Sequence, residues 1–574
     1  MSSLETLHLQ PVLSTKGMRN IDTASKEFYA TQNTSEPSEK EIIQSGYTLM
    51  KEAGAALFKF VQAKTLEPIA IFIGSGNNGG DGLVLAKLLL QSGIKSSVFS
   101  LASTDKLKNE AKLALDDFLD AGGTIKQRMP DGLTNFKLVV DCMLGNGAHG
   151  ELRPEFATVV QTINESGLTV IAADAPTGYD SSAHVCNDIC IHANETMLFG
   201  FPRLDAYAKE GGPAFGNAVI APLNYPSEVV QQFDEKNYLV TEDYIPQLLP
   251  TRDEWGDKRN QGTALIIAGS KDMPGAARLC TEAALRSGAG LVSLATTEAI
   301  TPIIQAKLSE PVFCSLEDCS NFNGVLQPQH IPAILQRAKH ASAIAIGPGL
   351  STNFSTVQAV LELLPQIKAP TVIDADALNA IATLNENTAK GAANDSTVDC
   401  AATDCAAADR ATTDRATTDR ATDANCNIKK DCATIRYLRE IQAPAILTPH
   451  VREFARLFGA LPENSCDIPS YLKNISANTN NVILLKGAPT YIAAPDGRAF
   501  VIPAHNSGLA KGGSGDVLTG IIAALLAQGL PTAEAAVLGA LLHQKAGRIT
   551  REKLGAFSML PSDVIASLPQ AFSC

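Results

Sequence analysis

The sequence predicts an α/β protein built as two domains, each around a mainly parallel sheet. Three observations predict it. Short apolar runs of strand length alternate with helical patterns along most of the chain, the arrangement that buries a parallel sheet between helices. The alternation breaks off between Pro222 and Glu242, where Pro226, several charges and little periodicity intervene, and then restarts. Glycine-rich polar clusters follow the apolar runs, at the strand ends beyond which open α/β sheets bind ligands.

In the first half, Gly46 to Gln62 reads as an amphipathic helix leading into the sheet. Ile69 to Ile73 reads as a buried strand and Asp81 to Gln91 as the helix after it. Ser96 to Leu101, Leu138 to Met143 and Thr169 to Ala173 are further strands. The second half restarts with strand Thr263 to Ala268 and helix Gly275 to Ser287. Strands follow at Leu291 to Ala295, Ala341 to Ile346, Thr371 to Asp374, Ala445 to Thr448 and Val482 to Lys486. Tyr491 to Ala494 and Ala499 to Ile502 flank Asp496-Gly497, a hairpin signal. The domains are therefore read as residues 1–232 and 240–574.

Composition supports two buried cores. The 574 residues are 45% hydrophobic and 19% charged, which excludes a mostly disordered chain. Lys and Arg number 47 against 60 Asp and Glu, a net charge of −13 that argues against nucleic acid or an anionic membrane as partner. The 12 cysteines show no framework of the secreted kind, and Cys142, Cys280 and Cys314 read as small buried hydrophobes. Met1 to Lys16 lacks the pattern of a signal peptide, and the apolar stretch Leu518 to Leu530 is too short and interrupted to span a bilayer, so a cytoplasmic location is expected. Ala389 to Asp431 belongs to neither core. It repeats ATTDR, holds almost no large apolar residues and reads as a flexible surface insertion whose deletion should leave activity largely intact. Its Cys400, Cys405, Cys426 and the adjoining Cys432 lack metal-ligand spacing.

The first half's chemistry lies in Gly74 to Gly82, GSGNNGGDG, between a strand and a helix. Such a turn offers open backbone N–H groups and a positive helix end to an anion. Gly74, Gly76 and Gly79 match the dinucleotide fingerprint formally, but the next strand, SSVFSLAS, lacks the carboxylate expected about 20 residues on, which disfavours a plain NAD-dependent dehydrogenase. Two amides and a carboxylate on a tight glycine turn need polar partners, which disfavours a merely structural turn. DCMLGNGAHGELR, Asp141 to Arg153, and DAPTGYD, Asp174 to Asp180, also end strands, so the three segments should converge on one crevice.

The second half's chemistry lies in Lys511 to Gly520, KGGSGDVLTG, which opens the apolar helix Ile521 to Ala527. Its N–H groups make an anion hole, and Asp516 sits where a hydroxyl nucleophile must lose its proton. The bland alternative is a helix start capped by Asp516. No GxxxxGK[ST] loop occurs in the chain. IGPGL at Ile346 to Leu350, DADALN at Asp374 to Asn379, LTPH at Leu447 to His450 and KGAPT at Lys486 to Thr490 end further strands.

Together with MRNID at Met18 to Asp22 and LMKEAG at Leu49 to Gly54, these segments resemble the bifunctional NAD(P)H-hydrate repair enzymes. The first set, over roughly the first two-fifths of the chain, is similar to their N-terminal epimerase domain, and the second to their ribokinase-like C-terminal dehydratase domain. The resemblance implies a Rossmann-like three-layer sandwich followed by a ribokinase-like α/β/α domain. It implies epimerisation of R- and S-NAD(P)HX, then ADP-dependent dehydration of the S form to NAD(P)H, AMP and phosphate. On it, Asn77, Asn78, Gly79, Gly80 and Asp81 contact the hydrate, with Gly145, Asn146, Gly147, Ala148, His149, Gly150 and Glu151 over its phosphates and Asp174 at the nicotinamide. Asn78, Asp141 and Thr177 supply oxygens to a K⁺ ion. Asp174 and Asp141 are alternative proton carriers for epimerisation. In the second domain Asp516 is the base; Gly349, His450 and Glu453 face the hydrate with it. Lys486, Gly487, Ala488, Pro489 and Thr490 hold the adenine nucleotide with Asn506, Ser507, Gly508, Leu509, Ala510, Lys511, Gly512, Gly513, Ser514 and Gly515, and Mg²⁺ neutralises charge. The partners implied are NADHX, NADPHX and ADP, in a homo-oligomer.

Two departures from the pattern stand out. Arg203 occupies the place of a lysine after the Phe-Pro pair, and Val451 and Arg452 replace a Pro-Gly turn after His450. Two other readings are weighed: an ATP-dependent vitamin or sugar kinase fused to a nucleotide-binding regulatory module, and a non-catalytic first half. The DADALN, TPH and KGAPT set argues against the former; Asn78, Asp141, Asp174 and Thr177 together argue against the latter.

Overall fold

The computed structural model describes residues 9–32, 36–127, 129–130, 132–252, 254–318, 324–394, 432–503 and 505–573, with Leu4 and Leu7. Helix Ala375–Asn394 runs into the start of the low-complexity segment, whose alanines favour helix propagation. The expectation for Ala389 to Asp431 lies outside the described residues from 395 on, with Cys400, Cys405 and Cys426; Cys432 is half-buried.

The smaller sheet has seven strands, all parallel, in the order Asn217–Ala221, Glu195–Phe199, Thr169–Ala173, Leu138–Cys142, Ile69–Ile73, Ser96–Ser100 and Ile125–Lys126. Its central strand is apolar at every position because both faces are covered. Ile69, Ile71 and Ile73 pack under helices Glu39–Ala63, Asn77–Gln91 and Asn109–Asp120, whereas Ala70 and Phe72 pack on Pro154–Glu165. The chain builds outward from Ile69–Ile73 on one side and then returns to place Leu138–Cys142 on the other. Such a reversal opens a crevice at the carboxyl ends of the two strands.

The larger sheet has 11 strands. Val482–Leu485, Ala445–Leu447, Thr371–Ile373, Ala343–Ile346, Thr263–Ile267, Leu291–Thr297 and Val312–Leu316 run parallel in that spatial order. The hairpin Thr490–Ala493 and Ala499–Ile502 adds an antiparallel flank. Ala264 and Ile266 bury against Pro274–Arg286, Ser514–Ala527 and Thr532–Ser558 on one face, Leu265 and Ile267 against Phe354–Leu363 and Ile468–Thr479 on the other. Cys142 and Cys280 are buried; Cys314, on an edge strand, is only half so.

Two connections join the halves. Asn237–Leu239, inside the segment read as a boundary, extends the larger sheet beside Ala499–Ile502, and Gln10–Pro11 pairs antiparallel with it. Leu4 is buried in the larger domain's core, so the chain starts there before entering helix Thr15–Thr31 of the smaller one. Tyr179, Leu204 and Phe215 share an apolar cluster with Cys466, Tyr471 and Tyr491 across the junction, and Ser465 Oγ donates to Glu210 Oε1 at 2.9 Å. No helix among the described residues is long and apolar enough to cross a membrane.

Candidate active sites

A cavity of about 580 Å³ occupies the smaller sheet's crevice. Helix Asn77–Gln91 begins there with Gly76, whose place as N-cap leaves the first N–H groups without a side-chain acceptor. The helix therefore starts earlier than the expected Asp81, and the amides of its first turn face the ligand space. Gly76 has open space where a Cβ would stand, whereas one on Gly79 would lie 2.2 Å from the Gly74 carbonyl and one on Gly80 2.6 Å from Met50 Sδ. Gly79 and Gly80 thus allow close packing and do not line the cavity; Asn77, Asn78, Asp81, Gly145, Asn146, Gly147, Ala148 and Asp174 do. His149, Gly150 and Glu151 line a smaller adjoining cavity of about 190 Å³.

Beneath this floor, Asp141 is fully buried. It accepts the Thr177 N–H at 2.8 Å, the Thr177 hydroxyl at 2.7 Å and the Met143 N–H at 3.1 Å. Burial pushes its carboxyl up to about 6 despite those bonds. Asn78 Nδ2 donates to the Leu144 carbonyl at 2.9 Å, while its buried Oδ1 has no hydrogen-bond partner among the described residues. Asp174 sits at φ 62, a left-handed conformation that turns the chain at the strand end. Its Oδ1 pairs with Arg203, and its Oδ2 accepts the Asn146 N–H at 2.9 Å. Arg203 is 1% exposed and also binds Asp205 at 3.2 Å. Its planar fork spans Asp174, the Asp174 carbonyl and Asp205 at once, which explains why arginine suits this position.

The larger domain carries a cavity of about 940 Å³ at the start of helix Ser514–Ala527. Gly513 precedes the helix at φ 96, where a Cβ would also meet Leu279 at 2.7 Å. Asp516 lines the cavity; burial and then repulsion from Asp374 push it up to about 6. Lys486 Nζ donates to Asp374 Oδ1 at 2.7 Å and lies 3.9 Å from Glu453 Oε2, and Asp374 Oδ2 accepts the Thr519 hydroxyl at 2.7 Å. Lys486 thereby offsets the charge of the surrounding carboxylates. Gly487, Ala488, Thr490, Asn506, Ser507, Leu509, Ala510, Lys511, Gly512, Ser514 and Gly515 also line it. Pro489, Gly508 and Gly349 do not; Gly349, at φ 63, packs on Met273 and Ala276. His450 accepts the N–H groups of Arg452 and Glu453 at 3.0 and 3.2 Å, while Glu453 accepts the His450 N–H at 2.8 Å. This reciprocal cap starts helix Val451–Phe458, in which Val451 and Arg452 are ordinary helical residues that need no glycine.

Several cavity residues had no role in the sequence reading, four of them titratable groups near the carboxylates. Asp22 and Tyr225 line the smaller cavity, Asp374 and His543 the larger. Asp374 was visible as a strand-end carboxylate. His543, whose Nε2 lies 3.2 Å from Ser514 Oγ and which burial pushes down to about 4, sits in an apolar helix without a motif.

Fold and sites define a two-domain enzyme that acts on nucleotide ligands: a Rossmann-like sandwich and a ribokinase-like domain, each with a glycine-opened helix and carboxylates at its strand ends. Residues 46–204 match the family model described as YjeF-related protein N-terminus. Residues 264–399 and 422–570 match that of NAD(P)H-hydrate dehydratase, the break falling inside the low-complexity segment. Curated relatives include the bifunctional NAD(P)H-hydrate repair enzymes of Moorella thermoacetica, 33% identical over 91% of each chain, and Thermofilum pendens, 30% identical over 91% of each. Among solved structures, the ADP/ATP-dependent NAD(P)H-hydrate dehydratase of Bacillus subtilis is 29% identical, spans 58% of this chain and 96% of its own, and superposes with a TM-score of 0.40. The chain belongs to the family of bifunctional NAD(P)H-hydrate repair enzymes. This decides against the kinase and scaffold alternatives.

Proposed function

We propose that residues 1–232 interconvert the R and S epimers of NADHX and NADPHX, and that residues 240–574 convert the S epimer and ADP to NAD(P)H, AMP and phosphate. The observation that carries this reading is the pair of cavities, each combining an open helix N-terminus for phosphate with carboxylates for proton transfer. In the first, the amides from Asn77 and the loop Gly145 to Glu151 hold the pyrophosphate, and Asp174, fixed by Arg203, meets the nicotinamide side. A K⁺ ion suits the oxygens of Asn78, Asp141 and Thr177: the orphaned Asn78 Oδ1 is a buried acceptor in want of a cation. Bound there, K⁺ would supply positive charge to the site.

In the second cavity, Asp516 takes the proton of the C6 hydroxyl as that oxygen attacks the β-phosphorus of ADP, and AMP leaves. The N–H groups from Gly513 to Asp516 hold the transferred phosphoryl. Phosphate then leaves C6 with a proton from C5, a better leaving group than hydroxide. The backbone from Asn506 to Gly512 and from Lys486 to Thr490 cradles the nucleotide, while His450 and Glu453 face the hydrate and Gly349 shapes the approach to it. Mg²⁺ would be carried mainly by the nucleotide phosphates.

The test supplies mixed NADHX epimers with K⁺, Mg²⁺ and ADP or ATP and follows NADH absorbance. Wild type should convert the whole mixture with ADP, Asp516→Asn should make no NADH, and Asp174→Asn should stall after the S epimer. No NADH from wild type with either nucleotide would refute the reading.

A further inference from the structure

Neither strand-end carboxylate of the epimerase site has an oxygen without a partner. Asp141 accepts three hydrogen bonds below the cavity floor, and both oxygens of Asp174 are committed, to Arg203 and to the Asn146 N–H. Asp22, on helix Thr15–Thr31, lines the same cavity. Its Oδ1 accepts the Tyr225 hydroxyl at 2.5 Å. No other hydrogen bond or ion pair reaches its carboxyl among the described residues. Lys26, one turn on, is engaged by Glu110 at 2.8 Å. Asp22 therefore brings an uncommitted oxygen to the ligand space, held in orientation by Tyr225.

We propose that Asp22 is the proton carrier of the epimerisation, serving both the C6 hydroxyl and the ring nitrogen N1 while Asp174 stays paired with Arg203; the proposal rests on the epimerase reading above. One carboxylate suffices because both groups are bonded to C6. Ionised Asp22 takes the hydroxyl proton, the O–H pair becomes the second C6–O bond, and the C6–N1 pair leaves to N1, which takes the proton back from Asp22. Rotation about C5–C6 turns the other face of the aldehyde to N1. The reverse steps close the ring: Asp22 takes the N1 proton as N1 attacks, and returns it to the new hydroxyl. No external oxidant or reductant enters.

The surroundings place the carrier in the working range. Burial raises Asp22 to about 6, opposed by the Tyr225 hydrogen bond and then Lys26; Asp174 adds repulsion and Arg203 attraction. Asp81, Arg19 and Arg153 also line the cavity. Burial, then repulsion from Asp174 and Asp22, raises Asp81 well above the usual carboxylate range.

The test uses the full chain and the R epimer of NADHX with K⁺ and no ADP, following R-to-S interconversion by chromatography; NADH formation from the S epimer with ADP reports integrity of the other domain. Asp22→Asn should slow interconversion by about 100-fold or more with hydrate binding and S-epimer dehydration kept. The wild-type rate should rise with pH through about 6 and level off. Tyr225→Phe, which removes the bond favouring the ionised form, should move that rise to higher pH. The proposal is overturned if Asp22→Asn stays within threefold of wild type, if Asp81→Asn alone abolishes the reaction, or if Tyr225→Phe leaves the pH profile in place. A wild type that binds the hydrate but leaves it unepimerised sinks the epimerase reading itself.

Discussion

Asp516 and Asp174 show how neighbours decide what a carboxylate does. Both end up at the mouth of a glycine turn, yet Asp174 is clamped by Arg203 and a backbone N–H, whereas Asp516 is held up to about 6 by burial and Asp374. A base must be ionised, so dehydration should fall as pH drops through about 6, well above the usual carboxylate range; initial rates with the S epimer and ADP across pH check this. Asp516→Asn should lower that rate by about 10²–10⁴-fold at every pH. Lys486→Met should leave Asp374 and Glu453 facing each other without their cation, moving the acid limb to higher pH and lowering stability by about 3–5 kcal/mol in denaturant titration. Asp174 was legible because it follows a strand, and Asp516 because it follows the glycine run that opens its helix. Asp22 was not: it lies in a helix far upstream of the smaller sheet's first strand, Ile69–Ile73, and Tyr225, which orients it, is 203 residues away.

At the scale of elements, local pattern carried far. The strands Ile69–Ile73, Thr169–Ala173 and Ala499–Ile502 lie where their apolar runs do, because continuous apolar stretches bounded by turn residues have few other ways to be buried. Glu195–Phe199, Asn217–Ala221 and Val312–Leu316 escaped the reading; the last two are edge strands, partly exposed and weakly patterned. The turns make their own demands. A Cβ on Gly79 must push back the Gly74 carbonyl, so Gly79→Ala should lower thermal stability by about 1–3 kcal/mol and abolish epimerisation while dehydration persists. His450→Ala removes the cap of helix Val451–Phe458 and should cost about 0.5–2 kcal/mol in equilibrium unfolding. Glutamine or asparagine at 450, which still accept an N–H, should restore part of it.

Across the whole molecule, the two halves are tied by chain threading as well as by contact. Gln10–Pro11 covers the Asn237–Leu239 strand, and Leu4 fills the larger domain's core, although both lie within residues 1–232, read from the sequence as the first domain. Removing residues through Pro11 should therefore destabilise the dehydratase domain by about 1.5–3 kcal/mol for the buried leucine alone, and leave the epimerase rate unchanged, as thermal unfolding and the two activity assays would show. Nothing in the composition of those residues signals this, because a two-residue edge strand has no period to read.

Strand positions, the glycine turns and the carboxylates that follow them were settled by local pattern, since side-chain period and turn chemistry act over a few residues. So was the family resemblance, which rests on those same turns. Long-range packing settled which carboxylate is clamped, buried or free. The Asp174–Arg203 pair, the hydrogen bonds between Asp141 and Thr177, and the meeting of Asp22 with Tyr225 each join segments far apart in the chain. Proton affinity follows from burial and from the charges that folding brings near, and neither exists until the sheets close around the sites.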